Sequence, residues 1–178
     1  VIVKKPLMPK RKITKISIFI KNFFKSQSTT LMLKEFLNKK VYLSKFKILR
    51  WVTVFVHTVI MRSSKEYNEL MKEEESIFYF WWGNKWSYLL SFNIKKNSNK
   101  YFVRLHGAEV FHDRNNNFIP LSEYVFKYAD TLLSISEILR TYLVKNYNIK
   151  KNKILISRLG VNFNMLNPPS NLKTISIV

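Results

Sequence analysis

Hydrophobic positions in this chain recur first with a helical period and later with a strand period. Val1-Ile-Val3, with Pro6 and Pro9 behind it, reads as a strand remnant running into a loop. The pattern from there to Glu75 is mainly helical. Ser28, Thr29 and Thr30 offer caps for a helix over Leu31 to Leu37, Ser44 for one running toward Met61, and Ser63 or Ser64 for one through Glu75. The period then changes. Ser76-Ile-Phe-Tyr-Phe-Trp-Trp82 is β-branched and aromatic, and Gly83-Asn84 closes it as a strand leaving for a loop. Trp86 to Phe92 predicts a short helix, and Asn93 to Lys100 a polar connection.

The next stretch, Tyr101-Phe-Val-Arg-Leu-His-Gly-Ala-Glu-Val-Phe111, is an apolar run that stops at a His-Gly pair. A buried parallel strand has this form when it delivers a histidine to the carboxyl edge of a sheet, where open α/β folds bind ligands. Asp113 to Asn117 is turn-like, and Pro120 suits the first turn of a helix with Leu121, Tyr124, Val125 and Tyr128 on one face, ending at Asp130. Thr131 to Ile135 reads as a strand, Ile138 to Tyr147 as a helix opened by Ser136-Glu137, and Lys153 to Ser157 as a further strand. Strands and helices alternating at these lengths predict parallel βαβ units over 77–161, hence an α/β, Rossmann-like parallel sheet flanked by helices.

Composition narrows the choice of function without settling it. At 178 residues the chain holds one α/β domain, and 47% hydrophobic content excludes wholesale disorder. The formal charge of +20 implies attraction to anions: nucleic acid, an anionic membrane face or phosphorylated small molecules. The same excess also arises from compositional drift toward Lys, Asn and Ile. Having no cysteine, the chain has no disulfide, Cys-ligated zinc or thiol catalysis, which fits a reducing compartment. No apolar segment reaches the roughly 20 residues needed to span a bilayer. Ile16 to Phe24, with Lys21 and Lys25, and Phe46 to Met61, with Lys47 and Arg50, read either as core-facing helices with solvated lysines or as interfacial helices in peripheral membrane contact.

Several residues near the His-Gly loop admit two readings from chemistry alone. His106 is either a structural histidine at a strand end or a site residue. Arg104 shares its face by strand alternation and calls for a carboxylate or phosphate partner, supplied by Glu109 or Asp113 in a structural ion pair or by a ligand. Gly107 allows positive φ or close backbone approach. Glu109 and Arg114 are either solvated loop charges or ligand contacts, and helix capping explains Ser136 and Glu137 with no ligand at all.

Taken in order, Arg104-x-His106-Gly107, Asp113-Arg114, Ile119-Pro120, Ser136-Glu137, Tyr142-Leu143 and Ser157-Arg158-Leu159-Gly160-Val161 resemble the amino-terminal domain of retaining, family-4-type bacterial glycosyltransferases that build surface or capsular polysaccharide. The likeness runs from about Ile77 to Val178. It is supported by the aromatic cluster Phe78 to Trp82, and it departs at Glu109, where the family pattern has Asp. The resemblance implies a two-domain GT-B architecture. Residues 1–172 would form the acceptor-side domain, with the linker at Asn167-Pro-Pro-Ser170, and 173–178 the truncated start of a missing carboxyl-terminal donor domain.

Implied, too, are a nucleotide-sugar donor, a carbohydrate or lipid-linked acceptor, and a cytoplasmic location that includes the inner face of the membrane; no residue pattern suggests a cofactor or a metal. His106 would lie beside the transferred sugar, with Arg104, Gly107, Glu109, Arg114, Ser136, Glu137, Arg158 and Gly160 on the substrate side. This chain alone would then have little or no transferase activity. Two further patterns carry no site. Glu66 and Glu74 lie in the wrong half for the family's paired glutamates; His57 sits in an apolar helical stretch, and His106 and His112 flank a loop with no third metal ligand beside them. The alternatives are a basic module for nucleic acid or anionic membrane, using Trp81, Trp82 and Trp86 for stacking but without any recognised nucleic-acid motif, and an inactive gene remnant.

Overall fold

A computed structural model describes residues 28–70, 72–92 and 98–160. The strand remnant Val1 to Val3, the apolar stretch Ile16 to Phe24, the linker at Asn167 to Ser170 and the closing Thr174 to Val178 lie outside the described residues.

The β-branched and aromatic runs form one four-stranded parallel sheet: β1 (Ile77–Phe80), β2 (Lys100–Leu105), β3 (Thr131–Ser134) and β4 (Ile154–Ile156), side by side in chain order. The register sets Phe80 beside Val103, Leu105 beside Ser134 and Ser134 beside Ile156, so the carboxyl ends of all four strands finish along one edge. Asp130 extends the ladder below β3, its backbone N–H donating to the Tyr101 carbonyl and its carboxylate accepting from the Tyr101 N–H, both at 2.8 Å. This is the expected α/β, Rossmann-like arrangement.

Alternation along the strands divides the sheet into two unlike faces. Tyr101, Val103 and Leu105 from β2, with Leu132 and Ile154 from the next strands, pack into one core with Val125, Phe126, Leu139 and Leu143. The last four come from α4 (Ser122–Tyr128) and α5 (Glu137–Tyr147), and the 3₁₀ helix Lys85–Phe92 adds Tyr88 and Leu90. The opposite face presents Ile77, Tyr79 and Leu155, all exposed, around the buried Arg104.

Before the sheet come α1 (Ser28–Asn38), α2 (Lys45–Arg62) and α3 (Lys65–Leu70). As expected, Ser44 precedes α2, and its hydroxyl accepts from the Lys47 N–H. Helix α3 is shorter than the sequence predicts, ending at Leu70 instead of running through Glu75. The cause is Asn99, whose amide donates to the Glu73 carbonyl and accepts from the Ser76 N–H, fixing this segment as the extended entry to β1. Continuing the helix would also set Glu73 one turn from Glu69, an i,i+4 pair of like charges.

Helix α1 is fastened to the rest by a buried carboxylate. Leu121, the N-cap of α4, adopts the left-handed region at φ 61° and offers no side-chain cap. Its N–H donates to Oε1 of Glu35 at 2.6 Å, across 86 positions of sequence. Glu35 is only 3% exposed, and burial raises its pKa from 4.5 to about 7 against the opposing pull of the Leu121 N–H and the Lys39 charge. Lys39 and Glu123 form a second, exposed link between the same helices.

Candidate functional site at the carboxyl edge of the sheet

Two chain segments leave the carboxyl edge together, Trp81-Trp82-Gly83 after β1 and His106-Gly107 after β2. Both tryptophans are largely exposed, at 50% and 45%, and both rings lie against His106, with centroids 5.7 Å from Trp81 and 4.0 Å from Trp82. Arg104 is on the same side, its guanidinium 4.9 Å from the centre of the Trp81 ring. Strand alternation had placed Arg104 with His106, and Trp81 touches both.

Arg104 does not form the ion pair with Glu109 or Asp113 that was one sequence reading. Instead Nη1 donates to the Tyr79 hydroxyl at 3.2 Å and Nη2 to the Ser157 carbonyl at 2.9 Å. Its Nε is buried with no hydrogen-bond partner among the described residues. A guanidinium 9% exposed, held by neutral groups and carrying a donor left over, retains its whole positive charge for an anion or a carbohydrate hydroxyl.

Glu109 turns inward, which a solvated or ligand-facing loop charge would not do. Its side chain is 2% exposed, and Oε1 accepts from the His106 N–H at 2.8 Å and from the Gly83 N–H at 3.4 Å. One carboxylate thus joins the two loops that carry the tryptophans and the histidine. Gly83 is required at this junction, because a Cβ there would lie 2.4 Å from Leu105 Cδ2 and 2.9 Å from Glu109 Cγ. Gly107 is required for the reasons its sequence suggested: its φ is 103°, and a Cβ would meet the Phe111 ring at 2.9 Å.

Burial lowers the pKa of His106, with the Glu109 charge opposing and Arg104 reinforcing the shift. Nδ1 is 3.7 Å from Glu109 Oε1, too long for a hydrogen bond, and is buried without a partner among the described residues. The imidazole is therefore neutral at neutral pH, flanked by indole rings and by one fixed cation.

The other expected residues do not join this cluster. Ser136 caps α5, accepting from the Leu139 N–H at 3.2 Å, and Glu137 pairs with Arg140 on the same helix. Arg114 is exposed and stacks on Phe111, 5.1 Å from its ring centre. Arg158 and Gly160 are exposed beyond Ser157, and a Cβ at Gly160 would have nothing within 4 Å. Tyr79 and the Ser157 carbonyl, by contrast, belong to the site and carry no motif of their own. Only the strand register, which brings residues 79, 104 and 157 to one edge, could have pointed to them. Among the described residues no group of three or more His, Asp or Glu side chains could hold a metal ion, and no helix is long and apolar enough to cross a membrane.

Comparison of the chain with protein families, with curated proteins and with solved structures finds no match.

Proposed function

We propose that this chain is the acceptor-side domain of a glycosyltransferase that moves a sugar from a nucleotide-sugar to a glycan or lipid-linked acceptor with retention of configuration. The observation that carries this reading is the grouping of Trp81, Trp82, His106 and Arg104 at the carboxyl edge of a parallel sheet. Exposed indole faces there suit the C–H faces of a sugar ring, and the few polar groups beside them fix orientation. The order of motifs along the sequence points the same way.

Glycosyl transfer with loss of a nucleoside diphosphate develops positive charge on the sugar and negative charge on the leaving phosphate. A neutral His106 hydrogen-bonds to sugar hydroxyls without adding charge beside the developing cation. Arg104, held by Tyr79 and Ser157, supplies positive charge toward phosphate or toward an anionic acceptor. Glu109 orients both loops so that acceptor and reacting carbon meet in a reactive geometry.

Intrinsic tryptophan fluorescence of the purified chain, titrated with a panel of neutral and acidic oligosaccharides, tests the proposal. Saturable quenching is expected, weakened at least tenfold in Trp82→Ala, which removes the ring closest to His106. No response to any saccharide, together with salt-sensitive binding of generic oligonucleotides, would replace this reading with the basic nucleic-acid module.

A further inference from the structure

A second surface, formed by α1, α2 and the 3₁₀ turn Val41–Leu43 between them, is separate from the carboxyl-edge site and does not depend on its interpretation. Leu33 and Leu37, one turn apart on α1, are exposed, as are Phe46 and Leu49, one turn apart on α2. Tyr42 and Leu43 project from the connecting turn, with Leu43 and Leu49 each 69% exposed. Beneath them Phe36 joins the two helices, its ring 6.1 Å from Tyr42 and 5.0 Å from Trp51. Helix α2 is consequently apolar on two sides, burying Phe55, Thr58 and Val59 while presenting Phe46 and Leu49 outward. Exposed apolar side chains gathered on one surface in this way mark an interaction site.

Charge identifies what covers it. Lys34, Lys40 and Lys45 are exposed around the patch, and residues 36–65 contain no aspartate or glutamate. The nearest acid in sequence, Glu35, is buried and turned away to Leu121. Exposed leucines beside Tyr42 and Phe46, interspersed with exposed lysines and with the nearby Glu123 carboxylate taken up by Lys39, match the boundary of an anionic bilayer, whose acyl region takes the leucines while its headgroups take the ammonium groups. Nucleic acid fits less well, since bases stack on aromatic rings and the exposed patch is made mostly of leucines, Leu33, Leu37, Leu43 and Leu49, with Tyr42 and Phe46 as its exposed rings and Arg50 already stacked on Phe46. We infer that the α1–turn–α2 tip docks this protein on the surface of an anionic lipid membrane, inserting Leu43 and Phe46 at the headgroup level.

Flotation of the purified chain with phosphatidylcholine vesicles, with and without phosphatidylglycerol, tests this. Binding is expected only when phosphatidylglycerol is present. It should fall more than about tenfold in Leu43→Glu/Phe46→Glu and roughly fivefold for each lysine removed in Lys40→Gln and Lys45→Gln. Equal binding to both vesicle types, no binding to either, or binding that survives the Leu43 and Phe46 changes overturns the inference. An oligonucleotide bound with the same lysine dependence, but without dependence on Leu43 and Phe46, assigns the surface to nucleic acid instead. Because the chain contains no cysteine, a polarity-sensitive fluorophore on Leu43→Cys gives a second reading that requires no charge reversal in the patch. Its emission should shift to the blue with phosphatidylglycerol vesicles while the same label on Thr141→Cys of α5 does not; equal responses, or none, also overturn the inference.

Discussion

Replacing Glu35 by glutamine should stabilise this protein above neutral pH and do little to it in acid. The side chain is buried, one oxygen takes the Leu121 N–H, and Oε2 has no hydrogen-bond partner among the described residues. Its pKa rises from 4.5 in the open chain to about 7 when folded. The folded state therefore holds a proton that the unfolded chain gives up between those limits. Stability from this group is full below 4.5 and is lost as pH rises through about 7. At ~1.4 kcal/mol per unit, the shift corresponds to roughly 3 kcal/mol withdrawn at alkaline pH.

Glutamine is neutral at every pH and keeps an oxygen for Leu121, so Glu35→Gln should match the parent near pH 4.5 and exceed it by about 3 kcal/mol near pH 8. In urea unfolding followed by far-UV circular dichroism, that is a midpoint displaced upward by about 1–3 M at the higher pH. His106 and His112, whose pKa values burial lowers, shift stability in the opposite direction, gaining it as pH rises toward 6.5. They are present in both proteins, so they cancel in the difference. A variant less stable than the parent near pH 8, or one retaining the parent's pH slope, would refute this account of the Glu35 contact.

Glu109→Ala leaves the His106 and Gly83 N–H groups buried without an acceptor, and unfolding free energy should drop by about 2–4 kcal/mol. A loss within about 0.5 kcal/mol, as for an ordinary surface site, would show that the carboxylate does not join the loops. Gly83→Ala should cost about 1–3 kcal/mol in the same assay, because its methyl group must displace the fully buried Leu105, while Gly160→Ala, with open space around it, should be neutral. Arg104→Lys keeps the charge but cannot reach Tyr79, Ser157 and the Trp81 face together; a loss of about 1–2 kcal/mol is expected, with weaker saccharide quenching. Unchanged stability and quenching would mean that charge alone matters at position 104.

The strands were legible because each is a short apolar run between polar turns, and strand alternation was enough to group Arg104 with His106. Glu109 was not legible. Its neighbours Ala108 and Val110 give no sign that the carboxylate turns inward, and its two donors come from separate loops. The Ser157 carbonyl was equally hidden, since it meets Arg104 across 53 positions through the register of three strands. Helix α3 was overextended because the residue that ends it, Asn99, follows it by more than twenty positions. Glu35 did leave a signal: it is the only acidic residue in the first 65 and stands within the apolar run Leu31 to Leu37, where an unpaired charge is costly.

The chain-order arrangement of the four strands bears on how the protein assembles. Each strand pairs with its immediate successor after an intervening loop of about 20–30 residues, so the sheet can grow by local closures, each entropically modest. The clasp between Glu35 and Leu121 spans 86 positions and closes the largest loop among these contacts. During synthesis α1 and α2 emerge before the sheet yet must wait for Leu121 before this clasp can close, so an earlier-made part of the described fold is among the last to lock. Perturbing Glu35 should therefore change the rate of unfolding more than the rate at which the sheet forms.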